Sequence, residues 1–315
     1  MGFEELLGNQ RLKENITSSL RRGRCAHFYL ISGPEGSGKH TLARLLAAGL
    51  LCQEQDKPCL QCHACRKVLS GTHPDFITVD DPDKKTVPVD LIREARADIY
   101  VRPNEGERKI YLFPRAQDMG LPGQNALLKV LEEPPSYGVF LLLTDNPEKL
   151  LPTVRSRCEE LRLQPLPEQI LYRRLTADFP QTDPQTIRAA MLRSGGYLGQ
   201  ARQLLEGGED EKVQQFADAL SARDPMALMQ LLCPMERLKR DALREMLESF
   251  LELIQMALAC RAGMPAVSAA ARSLGAACPP VRLMNTAGHL KKAIDYTMSN
   301  VSPAAVCGYL EWALR

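Results

Sequence analysis

The sequence predicts an α/β domain, a parallel sheet with flanking helices, followed by a small helical unit and a larger all-α domain. Three observations predict it. Short β-type apolar runs alternate with helical stretches over the first half of the chain, which is the pattern of a parallel sheet. One run, "HFYLIS" (27–32), leads straight into a glycine-rich turn, "GPEGSGKH" (33–40), and then into the helical "TLARLLAAGLLC". From Pro165 and Pro167 onward, strand signal fades and helical periodicity continues to residue 315.

Each element has its own signal. Residues 3–22 carry Leu6, Leu7, Leu12, Ile16 and Leu20 on one stripe, so a helix is expected there. "DFITVD" (75–80), "KIYLFP" (109–114), "GVFLLLTDN" (138–146) and "EELRLQPL" (159–166) read as further strands. The third of these is apolar enough to be buried on both faces. "PVDLIREARADIYV" (88–101) reads as a helix with Pro88 near its start. "GQNALLKVLEEPP" (123–135) reads as a helix stopped by two prolines. In the last third, "SGGYLG" (194–199) and "EGGED" (206–210) punctuate helices, and "LREMLESFLELIQMALACRAG" (243–263) is the clearest helix.

Bulk composition narrows the function. Lys+Arg is 40 and Asp+Glu is 38, a formal net charge of +2, so charge alone does not point to nucleic acid. Apolar residues make up 44 % and charged residues 25 %, as in soluble globular proteins. The charged, amphipathic start has no signal-peptide core, Leu6 argues against N-myristoylation, and no apolar run reaches the ~18–20 residues of a membrane span. A cytoplasmic protein with no membrane partner is expected. Four of the ten cysteines, Cys52, Cys59, Cys62 and Cys65, are bunched. In a reducing compartment such a cluster reads as a metal site rather than a disulfide framework.

Four stretches bear on chemistry. In "GPEGSGKH", Gly33, Gly38 and Lys39 fit the phosphate-loop pattern G-x-x-x-x-G-K-[ST]. Backbone N–H groups of such a loop hold phosphate oxygens, and the lysine reaches the outer phosphates. His40 stands where the pattern wants a hydroxyl for Mg²⁺, a hard ion that prefers oxygen. Thr41 comes one residue late, about 100° round the helix. Cys52, Cys59, Cys62 and Cys65 supply the four thiolates of a closed, structural Zn²⁺ site, with His63 as a possible substitute ligand. After the strand "KIYLFP", Pro114 and Arg115 stand where ATPases carry an acid, and Asp118 is the nearest carboxylate, expected on the next helix. Finally, "TVRSRCEEL" (153–161) places two arginines in a loop before a strand, where a guanidinium can reach a neighbour's γ-phosphate.

Taken together, these residues resemble the delta-prime subunits of bacterial DNA polymerase III clamp loaders, a non-motor AAA+ family. The resemblance is carried by "GPEGSGK", the cysteine module, "GTHPDF" (71–76), "NALLKVLEEPP" (125–135) and "TDNPEKLLPTVRSRC" (144–158). It covers residues 3–205 and becomes architectural after that, although "NVSPAAVCGYLEWAL" (300–314) looks like the family's last collar helix. It implies an AAA+ core over 1–165 with the zinc module inserted at about 52–65, a helical lid over 166–207, and an oligomerising helical collar over 208–315. It also implies a hetero-pentameric ring with gamma/tau and delta subunits that places a sliding clamp on primed DNA. In that family the arginine matching Arg157, after Ser156, acts on the adjacent motor subunit's ATP. The nucleotide site would comprise Gly33, Pro34, Glu35, Gly36, Ser37, Gly38, Lys39, His40 and Thr41, holding ATP or ADP without efficient hydrolysis. The lid arginine of the motor subunits falls near Gly199, with Arg202 close by. The rival expectation is an active gamma/tau-type ATPase, which needs an acid such as Asp118 or Glu132. A zinc-dependent nucleic-acid module on the same fold is a third reading, disfavoured by the near-neutral charge.

Overall fold

The structure is a computed structural model that describes residues 2–206, 211–264, 268–299 and 301–314. Its contacts divide the chain into two compact units, Met1–Leu171 with Gly196–Gln200, and Tyr172–Gly195 with Ala201–Arg315. Residues 166–207, expected as one lid, are therefore shared between the units, and the expected boundary near 208 lies outside the described residues.

The first unit is a five-stranded sheet in the order β2-β3-β4-β1-β5, with every pairing parallel. The strands are β1 (Phe28–Ser32), β2 (Phe76–Thr78), β3 (Lys109–Phe113), β4 (Gly138–Thr144) and β5 (Glu159–Arg162). The three central strands are buried at every position, and their sequences FYLIS, KIYLF and GVFLLLT show why: both faces must be apolar. Alternate residues point to opposite layers. Tyr29 and Ile31 join Leu42, Leu45 and Leu46 on one side, whereas Phe28 and Leu30 join Ile92, Leu127 and Val130 on the other. Phe28 stacks on Phe140 at 4.6 Å between ring centroids, tying neighbouring strands together.

Six helices belong wholly to this unit: α1 (Gln10–Arg22), α2 (Lys39–Leu51), α3 (His63–Leu69), α4 (Val89–Asp98), α5 (Leu121–Glu132) and the short α6 (Pro152–Arg155). Helix α1 starts later than the stripe from residue 3 suggests. Gly8 and Asn9 adopt left-handed φ values of 61° and 51°, which stop a right-handed helix from running through them. Asp118 is also displaced from expectation: it ends a 3₁₀ turn at Ala116–Asp118, before α5 begins.

The remaining helices are α7 (Glu168–Asp178), α8 (Pro184–Arg193), α9 (Leu198–Glu206), α10 (Glu211–Ala222), α11 (Pro225–Leu232), α12 (Arg240–Arg261), α13 (Ala269–Ala277), α14 (Pro280–Met298) and α15 (Pro303–Ala313). The second unit contains no strand among its described residues. Its core gathers around Phe250, Leu253 and Ile254 of α12, and Phe250 stacks on Phe216 at 4.3 Å.

Candidate functional site

The carboxyl ends of parallel strands are where α/β sheets build their sites. Here that rim carries the glycine loop after β1, Asp80 after β2, Pro114 and Arg115 after β3, and Asp145 after β4. The loop enters helix α2 through Gly38, whose φ of 96° a side chain would resist. Lys39 folds back over the loop, its Nζ donating to the carbonyls of Gly33 (2.6 Å) and Pro34 (2.8 Å). Desolvation lowers the Lys39 pKa from its ordinary value, offset in part by the Asp145 and Glu35 carboxylates. Ser37 Oγ is buried without a hydrogen-bond partner among the described residues, so the loop keeps an unused polar group where phosphate oxygens are expected. On this observation the loop fits an anionic phosphate.

The next position does not fit a magnesium ligand. Desolvation, then the Lys39 and Arg44 cations, push the His40 imidazole below its ordinary pKa, and Asp80 opposes them. His40 is thus neutral near pH 7, with ring nitrogens where a hard ion needs oxygen. Arg115 stands where the acid was expected, and three of its nitrogens are hydrogen-bonded. Its Nη2 and Nε donate to the Asp80 carboxylate at 2.7 and 3.2 Å, Nη2 also to Asp81 O at 2.9 Å, and Nη1 to Lys84 O at 3.1 Å.

A third contact closes on the loop from residue 199. The Gly199 N–H donates to Gly36 O at 2.9 Å, and a Cβ on Gly199 would stand 2.4 Å from Gly36 Cα. The position where the resemblance puts the motor subunits' lid arginine thus has no room for a side chain. Arg202 lies in the second unit, where its guanidinium is paired with Asp178 at 2.5 Å.

The arginine loop is held more lightly. Arg157 Nη1 donates to Thr153 O at 3.0 Å and Nη2 meets Glu132 Oε1 at 3.2 Å, with the Arg157 side chain 37 % exposed. Ser156 Oγ donates to Thr153 O at 3.3 Å, and Arg155 pairs with Glu148 at 2.7 Å.

The four bunched cysteines come together. Cys52 caps the end of α2, Cys59 and Cys62 lie in the following loop, and Cys65 sits in the first turn of α3. Their sulfurs all lie within 4.8 Å of one another. Cys59 and Cys65 Sγ are 3.9 Å apart, and Cys62 and Cys52 Sγ 4.0 Å. Four thiolates at ~2.3 Å round a tetrahedral Zn²⁺ would be about 3.8 Å apart, so the donor set fits that ion. The Cys62 N–H points at Cys59 Sγ (3.3 Å) and the Cys65 N–H at Cys62 Sγ (3.5 Å), orienting the sulfurs. Burial would raise Cys59, but the N–H groups of Cys62 and Gln61 bring its thiol down to about 7. His63 is not needed as a ligand.

A profile of the family described as DNA polymerase III, delta subunit, matches residues 8–167, half of the chain. The chain belongs to that family. Among curated relatives, the Escherichia coli K12 DNA polymerase III subunit delta' is 34 % identical over 215 residues, covering 67 % of this chain and 64 % of that protein. The Bacillus subtilis DNA polymerase III subunit tau is 28 % identical over 232 residues, covering 72 % of this chain and 40 % of that protein. The crystal structure of a DNA polymerase III, gamma subunit-related protein from Thermotoga maritima covers 95 % of this chain and 99 % of its own, at a TM-score of 0.45 and 17 % identity. The chain thus spans 40 to 64 % of those two curated relatives' lengths.

For this DNA polymerase III family member, sequence reasoning missed Asp80 and Asp145 at the rim and Glu132 as the partner of Arg157. One signal was present for the first two: each carboxylate lies just past a strand of a parallel sheet. Nothing local marked the pairing of Glu132, expected only as a candidate acid, with Arg157 across 25 positions. Among the described residues, no helix is long and apolar enough to cross a membrane.

Proposed function

We propose that this chain is a clamp-loader subunit of delta-prime type. It cradles ATP or ADP in the loop from Gly33 to Thr41 without efficient hydrolysis, and it presents Arg157, with Ser156 beside it in the loop, to the nucleotide of an adjacent gamma/tau ATPase subunit. Its ring partners are gamma/tau and delta subunits, and the assembled ring places a sliding clamp on primed DNA. The observation that carries this reading is Arg115. Where hydrolysis needs an acid to orient water, a guanidinium stands bonded to Asp80, Asp81 and Lys84. The blocked position at Gly199 and the neutral His40 support it from two further sides. The similarity to tau relatives and the carboxylates of Asp80 and Asp145 favour the rival motor reading.

The deciding experiment is ATP binding and ATP turnover by the purified chain with Mg²⁺. Binding without turnover is expected. Turnover abolished by Lys39→Ala would make the chain a motor. For the cysteines, we propose structural Zn²⁺: one zinc per chain by elemental analysis, lost together with about 5–10 °C of thermal midpoint in Cys62→Ser. Unchanged zinc content and midpoint would rule the site out.

A further inference from the structure

A small cavity of about 300 Å³ opens in the helical second unit, lined by Arg223, Pro225, Leu228, Pro279, Arg282 and Leu314. Three elements meet there: the start of α11, the start of α14 and the residue after α15. Two of the six lining side chains are cationic. Arg282 is half-buried, and its Nη1, shielded from solvent, has no hydrogen-bond partner among the described residues. The Arg223 side chain makes no hydrogen bond or ion pair with any described residue, and its backbone is left-handed, with φ of 54°. The adjacent acid does not serve either arginine. Asp224 is committed to its own helix, accepting from the Met226 N–H at 2.9 Å and the Ala227 N–H at 3.2 Å.

A buried charged N–H without a partner is costly to hold, more so than a neutral one. Water could satisfy the hydrogen bond but not the charge. Two guanidinium groups on one cavity present a fork of donors that matches an oxyanion. The volume is ample for one such group with a few waters, each about 30 Å³.

We propose that this cavity is an oxyanion site, in which Arg282 and Arg223 together hold a phosphate or a carboxylate group. It is separate from the glycine loop and does not depend on how that loop is used. The free phosphate ion and the carboxylate of an acidic side chain share the required chemistry, and titration separates them.

The chain carries its own reporter. Trp312 is the sole tryptophan, is 72 % exposed, and lies two residues before the cavity-lining Leu314. Its fluorescence is followed while inorganic phosphate or, separately, N-acetylaspartate α-amide is added to the full chain at constant ionic strength. A saturable change is expected with at least one probe. The probe that saturates first names the source of the anion. Apparent affinity should fall about tenfold or more in Arg282→Met and in Arg223→Gln, the loss of one charge-assisted contact. It should be unaltered in Lys39→Ala, which disables the glycine loop. No saturable change, or one that both arginine variants retain, overturns the proposal. A second measurement needs no ligand. Arg282→Met keeps the side chain's stem and removes a buried N–H that has no partner among the described residues, so its thermal midpoint without anion should match or exceed the parent's. A fall of more than about 3 °C would mean the guanidinium is already satisfied, and the proposal would be wrong.

Discussion

Arg115 and Arg157 sit in loops at opposite ends of their strands in the same sheet, one after β3 and one before β5, and they are held in opposite ways. Arg115 spends its donors on the Asp80 carboxylate and two backbone carbonyls, with its side chain 28 % exposed. Arg157 has one backbone carbonyl and one ion pair to Glu132, itself 59 % exposed. An arginine whose donors are consumed internally is part of the scaffold. One held by a single carbonyl and a solvent-screened pair can be given to something else at small cost.

Three substitutions test that contrast. The largest effect is expected from Arg157→Ala. In an assembled ring it should lower clamp-dependent ATPase by roughly 10³-fold, the low end for a lost arginine finger, while the chain's own thermal midpoint barely moves. A ring ATPase equal to the parent's would end the finger assignment. Next comes Arg115→Ala, which strands Asp80 without its counter-charge and leaves two carbonyls unserved. It should cost about 1–3 kcal/mol in denaturant unfolding of the chain alone. If Arg157→Ala proves the more destabilising of the two, the contrast is reversed and must be abandoned. The smallest effect belongs to Glu132→Gln. An exposed ion pair contributes about 0–1 kcal/mol, so stability should change by no more than that. Ring ATPase should be retained or rise, because the finger is released from its resting partner. A large loss would show that Glu132 is needed beside Arg157 during the reaction.

Much of the molecule was legible in the chain. The central strands could be read because a strand buried on both faces has to be continuously apolar, and FYLIS and GVFLLLT are. The cysteine cluster could be read because its four thiols lie within fourteen consecutive positions, so spacing alone constrains geometry. The pairings that decide how the rim behaves were not legible. Arg115 meets Asp80 across 35 positions. Gly36 and Gly199 approach across a far longer stretch of chain. Such contacts follow from strand order, and no local pattern encodes them. The two edge strands were over-extended for a related reason: β2 and β5 bury few residues, so sequence alone hardly marks where pairing stops. The first helix was drawn too long because a periodic stripe does not register the left-handed residues Gly8 and Asn9.

Helix α2 begins at Lys39 in the glycine loop and is capped at its far end by Cys52, one of the four clustered thiols. Its 13 residues span about 20 Å of nearly inextensible backbone. Most of the side chains along it are buried, so the rod cannot shift at one end without moving the packing beside it. Two equilibria that share such a rod obey a reciprocity: whatever factor a metal at one end imposes on anion affinity at the other, the anion imposes on the metal. If the proposed zinc and nucleotide both bind and the rod couples them, metal content becomes a variable of nucleotide titrations on this chain, and a preparation stripped by chelators and one loaded with metal would differ in anion affinity.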